Sequence, residues 1–215
     1  GQLERDVDRL VRNDRIAWGS SMIACNDADA MVTGNIRHYA ASIEKLKKVV
    51  DSRPGEEIFG MTMLVAKGKN IIIADTNVRD FPTSERLTKV AESCVRVSRL
   101  FGFDPKVAFL SHSTFGKPVS KNTKHVRDAI ELLKSKNVDF DFDGEMQPDV
   151  ALNPIYQEIY PFSKIVGKAN ILIMPALHSA AISTKLMKSF GGAKLIGPLL
   201  IGLGMPIEVA PLNCK

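Results

Sequence analysis

Residues 111–116, Ser-His-Ser-Thr-Phe-Gly, gather hydroxyls, an imidazole and a glycine in one short run, with Lys117 and Lys121 close behind. Hydroxyls, ammonium groups and the backbone N–H groups of small-residue loops are the donors that hold phosphate oxygens. The run follows an apolar stretch, Val107-Ala108-Phe109-Leu110, that reads as a buried strand. It precedes an amphipathic segment from Asn122 to Asn137 that reads as a helix. Open α/β sheets place ligands at such strand-to-helix corners. A solvated loop has the same composition, so residue types alone leave both readings open.

Three other strand ends carry small or polar residues: Thr33-Gly34, Asp143-Gly144-Glu145, and Pro175-Ala176-Leu177-His178-Ser179. Corners that recur along one sheet would line one crevice, the expected ligand site. His178 is the acid/base candidate because imidazole titrates near neutral pH; alternatively it caps a helix entry. Pairing His112 with Ser111 or Ser113 as base and nucleophile is geometrically poor, since neighbours along a strand face opposite sides. Asp141 and Asp143 alternate as the polar side of a half-buried strand would, with Asp143-Gly144 as a turn. No GxGxxG, Walker loop or GxSxG elbow occurs, so no dinucleotide site or resident cofactor is expected in this segment.

The elements that must position these residues come from periodicity. Leu3, Val7, Leu10, Val11, Ile16, Trp18, Met22 and Ile23 fit an opening helix over 3–23. A short strand over 28–32 and a helix over 39–50 follow, with Lys45, Lys47 and Lys48 on a solvated face. Strands over 59–66 and 71–76, joined by Lys67-Gly68-Lys69-Asn70, read as an antiparallel hairpin. Pro82-Thr83-Ser84-Glu85 opens a helix whose apolar face runs from Leu87 to Phe101, and Gly102 ends it. Strands over 106–110, 138–142 and 171–174 then alternate with helices over 122–137, 149–159 and 179–190. One or two last strands lie within 195–210. Alternation of this kind predicts an α/β fold with a mostly parallel sheet. The breaks at Pro54-Gly55 and Gly191-Gly192 predict a discontinuous first domain, 1–54 plus 193–215, with a second, 55–192, inserted.

The chain has 215 residues, 45% hydrophobic and 25% charged, with net charge +5. A mild positive balance suits phosphate-bearing ligands. The basic residues are dispersed, and with one Trp and three Tyr there is little to stack bases, which argues against nucleic acid. No apolar run reaches the roughly 18 residues of a membrane span. The longest, Leu195 to Met205, is cut by Gly197, Pro198, Gly202 and Gly204. The charged opening residues do not read as a signal peptide. Cys25, Cys94 and Cys214 are far apart without ligand spacing, so reduced thiols, no zinc and a cytoplasmic setting are expected.

Several stretches together resemble the phosphate acetyltransferase/butyryltransferase family: Ala28-Asp29-Ala30-Met31-Val32-Thr33-Gly34, Phe109-Leu110-Ser111-His112-Ser113-Thr114, Asp143-Gly144-Glu145-Met146-Gln147 and Ile196-Gly197-Pro198-Leu199-Leu200. Residues 31–39, 74–78, 113–116 and 178–186 are similar to the C-terminal module of bacterial NADP-dependent malic enzymes. The resemblance implies two three-layer α/β/α subdomains flanking a cleft, as in isocitrate/isopropylmalate dehydrogenase-like folds. It implies acyl-CoA, acetyl-CoA in particular, as the ligand, and dimerisation or larger homo-oligomers. It also implies upstream malic enzyme domains in the same polypeptide, where NADP and a divalent metal would serve the oxidative decarboxylation of malate to pyruvate. The family's opening part and last helix have no counterpart here, so the chain is expected to be a fragment.

On that resemblance the acyl-CoA/phosphate-binding set is Thr33, Gly34, Arg37, Ser111, Ser113, Thr114, Gly116, Asp143, Gly144, His178, Ser179 and Lys185. The transferases' Ser-Arg pair falls on Pro211-Leu212, the arginine of the helix after Thr33-Gly34 falls on Glu44, and a loop asparagine falls on His178. Guanidinium groups stabilise the negative charge that builds when a thiolate meets an acyl phosphate, and losing one such donor costs on the order of 10²–10³ in rate. The expected function is therefore a regulatory acyl-CoA-binding and dimerisation module without catalytic residues of its own. A working phosphate acetyltransferase and a purely structural oligomerisation module are the alternatives.

Overall fold

The structure is a computed structural model that describes residues 4–66, 68–76, 78, 80–212 and 214, with only the backbone of Gln157. Leu3, Lys67, Asn77 and Asn213, which enter the sequence reading, lie outside the described residues. In chain order the elements are α1 (Glu4–Asn13), α2 (Arg15–Ala24), β1 (Met31–Gly34), α3 (Tyr39–Leu46), β2 (Phe59–Ala66), β3 (Lys69–Ala74), α4 (Ser84–Leu100) and β4 (Lys106–Leu110). After a 3₁₀ turn (Lys121–Thr123) come α5 (Lys124–Lys136), β5 (Asp141–Met146), α6 (Pro148–Leu152), α7 (Pro154–Gln157), β6 (Ile171–Ile173), α8 (Leu177–Gly191), β7 (Lys194–Ile201) and β8 (Ile207–Ala210). The chain forms two compact units, one of Gly1–Ile58 with Pro198–Lys215 and one of Phe59–Gly197. Among the described residues no helix is long and apolar enough to cross a membrane.

The larger unit is built on a sheet of order β5-β4-β6-β3-β2-β7. β3, β6, β4 and β5 pair in parallel, and β2 pairs antiparallel with β3, so the sheet is mostly parallel with one hairpin, as the alternation predicts. Successive strand residues point to opposite faces. One face sends Leu64, Ile73, Ala108, Leu110 and Leu172 into a core shared with Val150 and Ala151 of α6 and Ala180 of α8. Ile72, Val107, Phe109, Ile171 and Ile173 alternate with these and are also buried. Helix α4 lies against β3 and β6, and α5 against β4 and β5.

Helix α4 begins as its sequence requires: the Thr83 hydroxyl accepts the Arg86 N–H at 3.3 Å. Leu87, Val90, Ala91, Cys94, Val95 and Val97 are buried, but Leu100 and Phe101 turn outward, 79% and 53% exposed, unlike the expected end of the apolar face. The free thiol of Cys94 is held protonated, its pKa pushed well up by burial and by the nearby Asp75.

Several boundaries differ from expectation. The strand placed over 138–142 begins at Asp141, because Asn137 caps α5 in the left-handed region and Arg99 holds both the carboxylate and the carbonyl of Asp139 outside the sheet. Asp143, Gly144 and Glu145 consequently sit inside β5 rather than at its end. The helix placed over 149–159 is two short ones, since Pro154 has no N–H to continue the ladder. Gly144 has φ +142°, and a Cβ there would lie 2.6 Å from the Phe109 carbonyl, so only glycine fits beside β4.

In the smaller unit β1 and β8 form a parallel pair, Met31↔Ile207 through Gly34↔Ala210. This two-stranded sheet is not the three-layer stack expected of both subdomains. The single opening helix is broken at Asp14, whose extended backbone and side chain cap α2. No residue of α1 is buried, so its Val7 face is not core. Helix α2 buries Ile16, Ala17, Ser20 and Ile23 and leaves Trp18 57% exposed. Helix α3 ends at Leu46, four residues before the expected end, although Val50 is buried beyond it.

Phe109, fully buried on the interior strand β4 of the larger unit's sheet, is the sharpest packing test. Phe109→Ala is expected to cost about 3–5 kcal/mol in denaturant unfolding, and Leu100→Ala at most about 0.5 kcal/mol.

Candidate functional site

Because β3, β4 and β6 run parallel, the residues that follow them leave one edge of the sheet. Asp75 and Thr76 follow β3, Ser111–Gly116 follow β4, and Pro175–Ser179 follow β6. The corner after β4 is closed around Glu145 of β5, which is 1% exposed. The Ser113 hydroxyl donates to Glu145 Oε1 at 2.8 Å, the Gly116 N–H donates to the same oxygen at 3.0 Å, and Arg127 Nη1 at 3.3 Å. Ser111 Oγ accepts the Ser113 N–H at 3.3 Å, and Thr114 Oγ1 accepts the Gln147 N–H at 3.2 Å. The loop does bind an anion, but that anion is the chain's own carboxylate. Ser113 and Gly116, expected to face a ligand phosphate, are engaged with Glu145 instead.

Asp143 is likewise committed: its carboxylate accepts the Gly144 N–H at 2.9 Å and the Lys164 N–H at 2.7 Å. The expected strand-end turn at Asp143-Gly144 is thus an anchor between β5 and the segment before β6. His112 is exposed while Ser113 is fully buried, which separates that pair. His178 sits exposed in the first turn of α8 with its ring 5.8 Å from that of Phe81. The α8 N-cap is Ala176 and makes no side-chain cap bond, so His178 is not the capping residue of the alternative reading. Ser179 is half-buried beside it, and Lys185 is exposed two turns further on.

Three participants at this edge were not singled out from the sequence. Glu145 was visible as part of a motif, but its burial was not. Arg127 ties the loop together through Thr123 Oγ1 at 2.6 Å and the Ser120 carbonyl at 3.1 Å. His125 Nε2 lies 3.0 Å from the Pro175 carbonyl, which places the proton on that nitrogen. Both basic residues read in sequence as an ordinary polar helix face.

The smaller unit holds a cavity of about 510 Å³ at the end of β1, lined by Thr33, Gly34, Asn35, Arg37 and Arg15 among others. Gly34 has φ +106°, and a Cβ there would come within 2.2 Å of the Ala210 carbonyl. Asp14 stands behind Arg37: it accepts from Arg37 Nη1 at 3.2 Å, from Lys45 Nζ, and from the N–H groups of Ile16 and Ala17. Lys45 is therefore an ion-pair partner, not a purely solvated lysine. Burial pushes the Asp14 pKa up, but Lys45, the two N–H groups and Arg37 together outweigh it and hold the carboxyl at about 2, against an ordinary 3.8.

A family model described as phosphate acetyl/butaryl transferase matches residues 1–215. The chain belongs to this family. It is 44% identical over its whole length to an NADP-dependent malic enzyme of Rhizobium meliloti, of which it spans 28%. It is 28% identical, again over its whole length, to a phosphate acetyltransferase of Bacillus subtilis, of which it spans 67%. Its fold overlays a phosphotransacetylase from Streptococcus pyogenes with TM-score 0.91 at 29% identity, covering 98% of this chain and 65% of that one. The chain thus spans less than a third of that malic enzyme.

Within this family member, the positions that the sequence resemblance matched to transferase arginines carry other chemistry. Glu44 is exposed on α3, and Pro211 and Leu212 directly follow β8. Among the described residues no three His, Cys, Asp or Glu side chains gather as a metal site would need.

Two stability tests follow from the buried carboxylates. Glu145→Ala strands the Ser113 hydroxyl and the Gly116 N–H and should destabilise the chain by about 2–5 kcal/mol in denaturant melts, with His112→Ala near neutral. Asp14 has a depressed pKa, so its contribution is present above its ordinary 3.8 and is lost as pH falls through about 2. With its partly exposed partners screened by water it should be worth on the order of 1–2 kcal/mol. Acid unfolding of Asp14→Asn should lack that increment.

Proposed function

We propose that this chain is an acyl-CoA-binding module, with acetyl-CoA as ligand, that regulates a malic enzyme to which it is joined and does not itself transfer acyl groups. Its family membership and its similarity to malic enzymes support the setting. What supports the reading is that Glu44 and Pro211-Leu212 stand at the positions which the sequence resemblance matches to transferase guanidinium residues. In acyl transfer the thiolate sulfur of CoA attacks the carbonyl carbon of acetyl phosphate, the C–S bond forms, and the C–O bond breaks to release inorganic phosphate. Negative charge grows on the transferring group in that step. An exposed carboxylate at an arginine's place repels it, whereas binding a thioester needs only shape and some positive charge.

The parent protein would be a cytoplasmic NADP-dependent malic enzyme, working as a homodimer or larger oligomer. Its NADP and divalent metal would belong to domains outside this chain. Regulation then requires acetyl-CoA to bind two states of the assembly unequally. A second reading, an active phosphate acetyltransferase, is favoured by Arg15 and Arg37, which supply two guanidinium groups at one cavity.

Both readings are separated on the full-length protein. Calorimetry should register acetyl-CoA binding, and malate oxidation should change when acetyl-CoA is added. Acetyl phosphate formation from acetyl-CoA and phosphate should stay far below a typical turnover of about 1–10³ per second. Turnover within that range would establish the transferase, and no acetyl-CoA heat up to millimolar ligand would leave only a structural oligomerisation role.

A further inference from the structure

We propose that a second cavity, in the larger unit, is a site for an apolar carboxylate, a molecule with a hydrocarbon body and one anionic head. Strands β3 and β6 run parallel, so Lys69 at the start of β3 and Lys168 just before β6 lie at the sheet edge opposite the corners that follow these strands. The cavity there encloses about 410 Å³, and its apolar wall is made by Leu64, Ala66, Ile71, Leu152 and Met187. Leu64 belongs to the buried core, while Ala66, Ile71 and Leu152 pack against that core and are only half-buried. The opening therefore exposes hydrocarbon continuous with the core, and covering it with more hydrocarbon is favourable. Met187, 41% exposed near the end of α8, adds an unbranched side chain that adapts to a guest.

Charge selects the head group. The hairpin register pairs Leu64 with Ile71 and Ala66 with Lys69. Cross-strand partners share a face, so the Lys69 side chain leaves the hairpin on the same side as the apolar wall. Lys69 is exposed and, among the described residues, has no hydrogen bond or ion pair. Lys168, exposed and likewise unpaired among them, lines the same cavity, and no Asp or Glu does. The Asn170 amide is already committed: its Oδ1 accepts the Lys106 N–H at 2.8 Å and its Nδ2 donates to the Asp104 carbonyl at 2.6 Å. Lysine stems lie along apolar surface with the ammonium in water, so an anionic head at the mouth meets Lys69 while the hydrocarbon enters. The space is more than twice the roughly 150 Å³ that takes benzene and lies within the roughly 300–1,000 Å³ of organic-ligand pockets, so the body is a chain or ring and not a short acid.

The cavity shares no residue with the corners after β3, β4 and β6, so it stands or falls independently of the acyl-CoA reading. The test uses the full-length protein, calorimetry with octanoate, 1-octanol and octylamine, and the NMR signal of the Met187 methyl group, assigned through Met187→Leu. Octanoate should bind tightest of the three, and its addition should shift the Met187 signal. Lys69→Gln should weaken octanoate about 2- to 5-fold, the worth of one exposed charge pair. Lys69→Glu should weaken it about 10-fold and strengthen octylamine, with octanol and the thermal melting temperature unchanged. Ala66→Leu, which adds bulk to the apolar wall, should weaken octanoate and octanol alike. Octanol or octylamine binding the wild type as tightly as octanoate overturns the carboxylate assignment. No octanoate binding up to about 10 mM, or binding that leaves the Met187 signal in place and is untouched by Lys69→Glu, overturns the site.

Discussion

Glu145 lies on β5, an edge strand of the larger sheet, yet is only 1% exposed and carries a carboxylate away from water. Burying an isolated charge is strongly unfavourable, so the surroundings must supply donors. They do: a hydroxyl, a backbone N–H and a guanidinium converge on one oxygen. Two come from the loop after β4 and the third from helix α5. The carboxylate therefore fixes the loop that the sequence marks as most interesting. Arg127 extends the same constraint to the Ser120 carbonyl and Thr123, so the approach to α5 is set by the same charge.

Asp14 solves a similar problem differently in the smaller unit. It caps α2 through two backbone N–H groups and answers Lys45 and Arg37 from α3 and the segment before it. One carboxylate thus starts a helix and holds a guanidinium and an ammonium group beside it. In both units the carboxylate is held by hydrogen bonds from the chain itself. Glu44 itself stands on an exposed face of α3.

The parallel alternation, the hairpin, the helix start at Thr83-Ser84 and the glycine stop at Gly102 were legible because each rests on local rules: periodicity, turn composition and capping. The misplaced start of β5 has a non-local cause. Phe140 and Phe142 alternate as well as any strand pair, but the register against Lys106–Leu110 begins only at Asp141. The break at Asp14 was hidden because apolar spacing continues across it, and only the cap's contacts with Ile16, Ala17, Arg37 and Lys45 show why the chain kinks there.

For the candidate site, the sequence by itself determined which residue types stand at which strand ends, and membership of the phosphate acetyl/butaryl transferase family. Tertiary structure alone decided which donors are still free. Ser113 and Gly116 meet Glu145 across 29 or more residues of chain, and Arg15 and Arg37 share one cavity from separate elements. Hydrogen bonding saturates, so a donor already facing a buried carboxylate is not available to a ligand, and no linear pattern records which partner is nearer.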